Sequence, residues 1–124
     1  ATVPHVNQFE LHPLLPQRDA QAASREHGIL VEGYSSLARG DARLFDDARV
    51  RAVAAAHHKT VAQVLLRWSV QQGIPVLPKS ARVERLRENA ALFDFALSEE
   101  EMALLSGFDL GDVGRTCWNP TKVE

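Results

Sequence analysis

Three short apolar runs, separated by stretches of helical periodicity, constrain the fold of this chain more than any other feature. The runs are predicted strands at residues 5–11, 29–33 and 74–77. The stretches between them place apolar residues three and four positions apart, as the buried face of a helix does. Strands that alternate with helices are typical of a parallel sheet with crossover helices. The sequence therefore predicts an α/β fold with three parallel strands.

Capping residues mark the ends of the predicted helices. Gly28 follows the first helix and suits the left-handed conformation in which many helices end. Thr60 is a candidate N-cap for the helix before the third strand, and Ser98 with Glu101 three residues later predicts a capping box for the last helix. Residues 34–45 are predicted to be a loop, long for a connection between a strand and a helix, which suits a segment that covers a ligand.

Length and composition predict one ordinary soluble domain. The 124 residues are 45% hydrophobic and 24% charged, with a formal net charge of -2. This near-neutral charge argues against nucleic acid as the main partner. No apolar run is long enough to cross a bilayer and no secretory signal begins the sequence. The single cysteine, Cys117, is compatible with a reducing cytoplasm, so we expect a cytoplasmic protein with no membrane partner.

A lysine and a serine follow the third predicted strand and precede a basic helix. Free backbone N–H groups at the start of that helix, together with Lys79 and Ser80, predict an anion site. Helical spacing places Arg85, Glu88 and Asn89 on one face, which could hold an adenosine with an extra phosphate. The alternative is that these charges are only solvated, as most charges on surface helices are.

Three separated segments resemble the second half of an aldo-keto reductase, in the order that this family has. They are VNQFELHP at 6–13, GILVEGYSSL at 28–37, and the Pro-Lys-Ser segment at 78–80 with the helix after it. The resemblance extends over residues 6–108. It implies strands six to eight of a (β/α)8 TIM barrel with their crossover helices.

The resemblance also implies that half a barrel is present, because a whole one typically needs roughly 250 residues. We expect a C-terminal half-barrel with the cofactor-binding segments at 1–108 and a tail at 109–124. Strand edges left unpaired by the missing half predict either pairing with that N-terminal half-barrel or self-association. In the family the tail folds over the substrate mouth, but no motif assigns Cys117 or Trp118 a role there.

The family transfers a hydride from NADPH to an aldehyde or ketone, and the resemblance implies which residues hold the nicotinamide half of that cofactor. Gln8 matches the residue that bonds the carboxamide, and Tyr34 matches the one that stacks on the nicotinamide ring. Ser35 and Leu37 correspond to the loop around the pyrophosphate. The alternative interpretations are structural. Gln8 would only satisfy hydrogen bonds inside a barrel, and Tyr34 would only pack against neighbouring residues.

Residues at the other end of the cofactor are implied in the same way. Lys79, Ser80 and Arg85 match positions at the adenosine 2′-phosphate, and that phosphate implies NADPH. Glu88 and Asn89 match the contacts to the adenine edge. One departure affects the lid over the pyrophosphate, because the chain has Ser-Leu-Ala at 36–38 where the family commonly has Ser-Pro-Leu-Gly.

No residue here matches the catalytic tyrosine, lysine, aspartate and histidine of the family, which belong to the first half of the barrel. We therefore expect the cofactor-binding half of an NADPH-dependent reductase of small carbonyl substrates, inactive as an isolated chain. The alternative is a non-catalytic nucleotide-binding or scaffolding half-barrel. His12 and the pair His57 and His58 lack further ligands at suitable spacing, so no metal site is predicted and His12 is assigned a structural role.

Overall fold

The computed structural model describes residues 2–122. Its sheet has two parallel strands, β1 (Val6–Glu10) and β2 (Leu30–Tyr34), joined by helix α1 (Arg18–Glu26). Gly28 has φ +67°, which supports its prediction as the left-handed residue that turns the chain out of α1 and into β2. The strand register sets Gln8 opposite Glu32 and Glu10 opposite Tyr34.

The third predicted strand, at residues 74–77, does not form. Only a parallel bridge between Gly33 and Val76 and a hydrogen bond from Gly33 N to Pro75 O (2.9 Å) join this segment to β2. Pro75 and Pro78 have no backbone N–H, so the segment cannot make a regular ladder. The prediction of three parallel strands is therefore wrong in this respect, although the segment lies beside β2 where a third strand would.

Five further helices follow β2 in the described part of the chain. They are α2 (Ala42–Phe45), α3 (Ala48–Ala56), α4 (Val61–Gln71), α5 (Val83–Ala90) and α6 (Glu99–Ser106). Short 3-10 turns lie at Ala38–Gly40, Gly111–Gly114 and Pro120–Lys122. The predicted loop at 34–45 thus contains one such turn and the short helix α2. Thr60 caps α4, and the predicted capping box of Ser98 and Glu101 is present at α6.

The core lies between one face of the sheet and helices α3, α4 and α6. Trp68 of α4 is fully buried, and its indole Nε1 donates to Ser106 Oγ at the end of α6 (3.1 Å). Leu65, Val53 and Leu105 pack in the same apolar cluster. This helix layer covers the sheet face that carries Val31 and Gly33, because alternate residues of a strand point to opposite faces.

The other face of the sheet is open. Val6 and Gln8 of β1 and Leu30 of β2 are exposed on it, whereas Glu10 at the carboxyl end of β1 is buried. In a closed barrel such a face would point towards the barrel interior, but the two strands described here do not form a closed sheet. The expected half-barrel thus takes the form of an open α/β layer. No helix in residues 2–122 combines the length and hydropathy needed to cross a membrane.

The C-terminal segment folds back on the strand ends instead of leaving the domain. Leu110 N donates to Leu14 O (3.0 Å), and Arg43 donates to the carbonyl of Val113 (3.1 Å). A Cβ on Gly114 would lie 1.9 Å from Leu14 O, so only glycine permits this close approach. The boundary at residue 108 stays a prediction.

Candidate functional site

A cleft of about 940 Å³ opens at the carboxyl ends of the strands. Three segments of the chain form most of its walls: residues 34–40 at and after the end of β2, residues 60–62 at the start of α4, and residues 77–89 with helix α5; Phe45 of α2 also lines it. Ligands of α/β folds bind at this edge of a sheet. The volume lies within the range of known small-molecule and cofactor sites, about 300 to 1,000 Å³.

Eight of the nine residues predicted to bind a cofactor line this cleft, and Gln8 is the exception. The eight are Tyr34, Ser35, Leu37, Lys79, Ser80, Arg85, Glu88 and Asn89. They come from two segments more than forty residues apart, so the fold brings together what the sequence separates. Their role as cofactor contacts stays a prediction.

Gln8 lies on the open face of the sheet. Its side-chain amide donates to Glu32 Oε2 across the two strands (2.7 Å). Gln8 and Tyr34 share this face, because Glu10 pairs with Tyr34 and Gln8 is two residues earlier in β1. The hydrogen bond to Glu32 corresponds to the structural alternative considered for Gln8 from the sequence.

The wall after β2 has an unusual backbone. Ser35, Ala38 and Arg39 all have positive φ values, of 51°, 47° and 56°. Such conformations cost free energy in residues other than glycine and cluster at ligand-binding sites. A hydrogen bond from Ser36 Oγ to Gly33 O (3.1 Å) helps to hold the turn. The segment thus forms a shaped wall with Tyr34 at its start.

Tyr34 is half-buried at this wall. Burial raises the pKa of its phenol, and the negative charge of Glu10 raises the pKa further. The ring is therefore neutral at physiological pH. A neutral aromatic ring at the wall of a cleft can stack on a planar ligand.

The start of α4 braces the opposite wall, and the sequence analysis did not assign it to the site. Thr60 Oγ1 donates to Glu88 Oε1 (2.7 Å) and also accepts from Gln63 N (3.2 Å). The Gln63 side chain donates to the carbonyl oxygens of Glu88 (3.1 Å) and Ala91 (3.3 Å). These bonds tie α5 to α4. The T-x-x-Q capping-box pattern in the sequence is the signal that could have identified this pair.

Positive charge lies on two of the walls. Lys79 and Arg85 are on the wall formed by residues 77–89, and Arg39, which the sequence analysis missed, is on the wall after β2. Glu88 is the one carboxylate among the lining residues, and Thr60 already donates to it. None of the three cations forms an ion pair with a carboxylate in the described part of the chain. The cleft therefore presents a net positive surface that suits an anion.

Ser80 and Asn89 differ in what their side chains do. Ser80 Oγ accepts from Arg82 N (3.1 Å), so it stabilises the turn into α5. Asn89 is 8% exposed and lines the cleft, and its side-chain amide makes no hydrogen bond to another described residue. Its amide atoms are not among the buried polar atoms that lack a partner in the described part of the chain, so this amide faces the cleft and can bond a ligand there.

Neither a metal site nor a complete acid–base set is assembled in the cleft. Within residues 2–122, no group of three or more His, Cys, Asp and Glu side chains is arranged to hold a metal ion. His12, predicted to be structural, is fully buried and bonds Glu10 Oε1 through Nε2 (2.9 Å). The cations and the half-buried aromatic ring of the cleft suit a planar, anionic molecule.

Comparisons with known proteins agree with the family resemblance. The model of the aldo/keto reductase family matches residues 2–109. An aldo-keto reductase of Mycobacterium sp. (strain MCS) is 49% identical over 108 residues, which cover 87% of this chain and 38% of that protein. Methylglyoxal reductase DkgA of Yersinia pestis is 44% identical over 108 residues, which cover 87% of this chain and 39% of that protein. The chain thus spans well under half the length of these relatives.

A solved structure shares the fold over almost the whole chain. The crystal structure of a Gox0644 mutant in complex with NADPH superposes with a TM-score of 0.91 and is 36% identical, covering 99% of this chain and 44% of that one. The family predicted from the sequence motifs is confirmed by the family match and by these relatives: the chain belongs to the aldo/keto reductase family.

Proposed function

We propose that this chain is the C-terminal, cofactor-binding half of an NADPH-dependent reductase that converts aldehydes or ketones to alcohols. The observation that carries the proposal is the cleft, in which Lys79, Arg85 and Arg39 lie without carboxylate partners among the described residues. A relative named as a methylglyoxal reductase and a structural neighbour with NADPH bound support it.

The residues present fit this cofactor. Lys79 and Arg85 would hold the 2′-phosphate of the adenosine, with Ser80 beside them in the turn before α5. The side-chain amide of Asn89 would bond the adenine edge together with Glu88. When bound, NADPH supplies the hydride for the carbonyl carbon.

Residues after β2 would hold the rest of the cofactor. The segment from Ser35 to Leu37 would follow the pyrophosphate, and Arg39 adds a positive charge there. Tyr34 would lie against the nicotinamide ring. In this proposal Gln8 reaches the carboxamide from the open face of the sheet, and this requires it to exchange its bond with Glu32.

The isolated chain is proposed to need a partner. The missing N-terminal half-barrel would cover the open sheet face and would supply the catalytic residues that this sequence lacks, and self-association is the other way to cover the face. The substrate would be a small carbonyl compound. The cytoplasmic location stays a prediction based on the single cysteine.

Arg85 provides the sharpest test of the proposed cofactor. A hydrogen bond to a charged group contributes about 1.5 to 3 kcal/mol, so Arg85→Ala should weaken NADPH binding by roughly tenfold to a hundredfold. NADH lacks the 2′-phosphate, so its binding affinity should change little in Arg85→Ala. The measurement is the pair of dissociation constants of each protein by isothermal titration calorimetry at fixed salt.

Arg87→Ala is the matched control, because Arg87 is on the same helix and carries the same charge but does not line the cleft. Its NADPH affinity should stay near that of the unmodified chain. Equal losses for NADPH and NADH in Arg85→Ala would mean that Arg85 does not hold the phosphate. A chain that binds neither cofactor would contradict the proposed function itself.

A further inference from the structure

Glu10 is a fully buried carboxylate at the carboxyl end of β1. A buried carboxylate is stable only when hydrogen bonds or charges compensate for its lost hydration. Burial raises the pKa of Glu10, but hydrogen bonds from Thr116 and His12 outweigh that effect, and the net pKa is lowered. Glu10 is therefore charged at neutral pH. The groups that hydrogen-bond to it indicate its structural role.

Most of those partners come from the C-terminal segment, over a hundred residues later in the chain. Thr116 donates to Oε1 through both its backbone N (2.7 Å) and its hydroxyl (2.6 Å). Cys117 N donates to Oε2 (3.2 Å), and Arg115 Nη1 lies 3.8 Å from the same oxygen. One carboxylate thus holds three consecutive residues of the tail against the end of β1.

The tail held in this way reaches the wall of the cleft. Cys117 Sγ lies 3.1 Å from Ser35 Oγ. Ser35 is one of the residues with positive φ and follows Tyr34 directly, so the contact supports a strained turn at that end of the cleft. Strained backbone of this kind persists only where surrounding contacts fix it.

We propose that Glu10 is a positioning residue, which clamps residues 115–117 against Ser35 and thereby shapes the Tyr34 end of the cleft for the nicotinamide half of the cofactor. The identity of that ligand rests on the proposed function. The clamp does not touch the adenosine end, where Lys79 and Arg85 lie on a different segment. Glu10 thus affects one half of the ligand and not the other.

The binding of two ligands can distinguish this positioning role of Glu10 from a general structural role. Adenosine 2′,5′-bisphosphate carries the adenosine half with its 2′-phosphate but no nicotinamide, whereas NADPH carries both. In Glu10→Gln, an amide replaces the oxygen that accepts from Cys117 N, and the charge is lost. We expect NADPH to bind about tenfold more weakly, as for one lost bond to a charged group, and the bisphosphate to bind as before.

Trypsin cleavage after Arg115 reports on the clamp without any cofactor. The unmodified chain should release peptides that begin at Thr116 slowly, because the bond after Arg115 lies in the clamped segment, and Glu10→Gln should release them several times faster. Mass spectrometry of the products over time gives the rates. Glu26→Gln is the control, since Glu26 carries the same charge on the exposed end of α1.

Thr116→Val keeps the test valid if Glu10→Gln fails to fold. It removes the hydrogen bond from the Thr116 hydroxyl and leaves the two bonds from backbone N–H groups. NADPH binding should therefore weaken and cleavage should become faster, each by less than in Glu10→Gln. Unchanged cleavage in both variants would overturn the clamp. Equal losses for NADPH and the bisphosphate would overturn the positioning role. Failure of the unmodified chain to bind either ligand would overturn the proposed function, and the cleavage rates would still decide whether Glu10 holds the tail.

Discussion

Arginines in this chain fall into two groups according to whether they have a carboxylate partner. Arg43 pairs with Asp41 (2.7 Å) and Arg49 pairs with Asp47 (2.8 Å), each within its own helix start. Arg39 and Arg85 in the cleft have no such partner among residues 2–122. Exposed pairs of the first kind contribute little to stability. Arg87 and other arginines outside the cleft also lack a carboxylate partner in the described part of the chain, so the position of Arg39, Arg85 and Lys79 around one cleft is what suits it to an anionic ligand.

Spacing along one element explains which site residues could be predicted. Arg85, Glu88 and Asn89 are three and four positions apart, so any helix over this stretch brings them together. The bonds of Glu10 were not predictable, because its partner Thr116 is 106 positions away. No local pattern specifies a contact across that distance. The tertiary fold alone decides it.

Buried titratable groups beside the tail predict a loss of stability in acid. Burial lowers the pKa of His12, and this effect outweighs the attraction of Glu10, so the folded state holds His12 neutral. An unfolded histidine takes up a proton near pH 6.5. The unfolded state therefore binds more protons as the pH falls below that value, and the free energy of unfolding must decrease. Glu10, whose pKa is also lowered, adds a second decrease below about pH 4.3.

His12→Gln should flatten the first of these decreases. We expect its free energy of unfolding to change less between pH 7.5 and about 5.5 than that of the unmodified chain, as measured by urea denaturation at several pH values. His5→Gln is the control, because His5 is exposed before β1. The same pH dependence in His12→Gln and in the unmodified chain would contradict the assignment.

At the level of elements, helices were predictable and the third strand was not. Capping residues and apolar spacing are local signals, and they located α1, α4 and α6. The apolar run at 74–77 had the right composition for a strand, but a ladder also needs N–H donors that Pro75 and Pro78 lack. The alternation of strands with helices along the sequence predicted the α/β class. The two prolines prevented the third segment from pairing with β2 as a regular strand.

Thr60 connects two elements and provides the prediction at this scale. Its hydroxyl caps α4 and donates to Glu88 of α5. Loss of an N-cap costs about 1 kcal/mol, so Thr60→Ala should lower the free energy of unfolding by about that amount and should weaken nucleotide binding through displaced Glu88. Urea denaturation and calorimetry measure the two effects.

Thr60→Ser is the matched control for that variant. Serine keeps the hydroxyl that accepts from Gln63 N and donates to Glu88, so both stability and binding should be largely retained. If Thr60→Ser loses as much as Thr60→Ala, the methyl group and not the hydroxyl would be responsible. The link between α4 and the cleft wall would then be wrong.

For the molecule as a whole, cofactor binding and catalysis are expected to be separable. Without a proton donor and its supporting charges, the negative charge that develops on the carbonyl oxygen has no partner, and the barrier stays high. The 124-residue chain should therefore not oxidise NADPH in the presence of a generic aldehyde at saturating cofactor. A full-length aldo-keto reductase serves as the positive control. Turnover at a rate typical of the family would show that the chain contains a proton donor of its own.

The open sheet face predicts how the chain behaves in solution. β1 pairs with β2 along one edge only, and the apolar side chains of Val6 and Leu30 are exposed on the open face, by 47% and 49%. Unpaired edges beside apolar surface promote association. We expect dimers or larger aggregates in the absence of a complementary half. Size-exclusion chromatography with light scattering over a range of protein concentrations measures this.

Val6→Lys tests whether that face is responsible, because a charge on an edge strand opposes pairing between copies. The variant should shift the population towards a monomer of 13.7 kDa. Val113→Lys introduces the same charge at another exposed valine, in the tail segment, and should leave association unchanged. A monodisperse monomer of the unmodified chain with cooperative unfolding would contradict the prediction. Equal effects of the two substitutions would show that net charge, and not the open face, controls association.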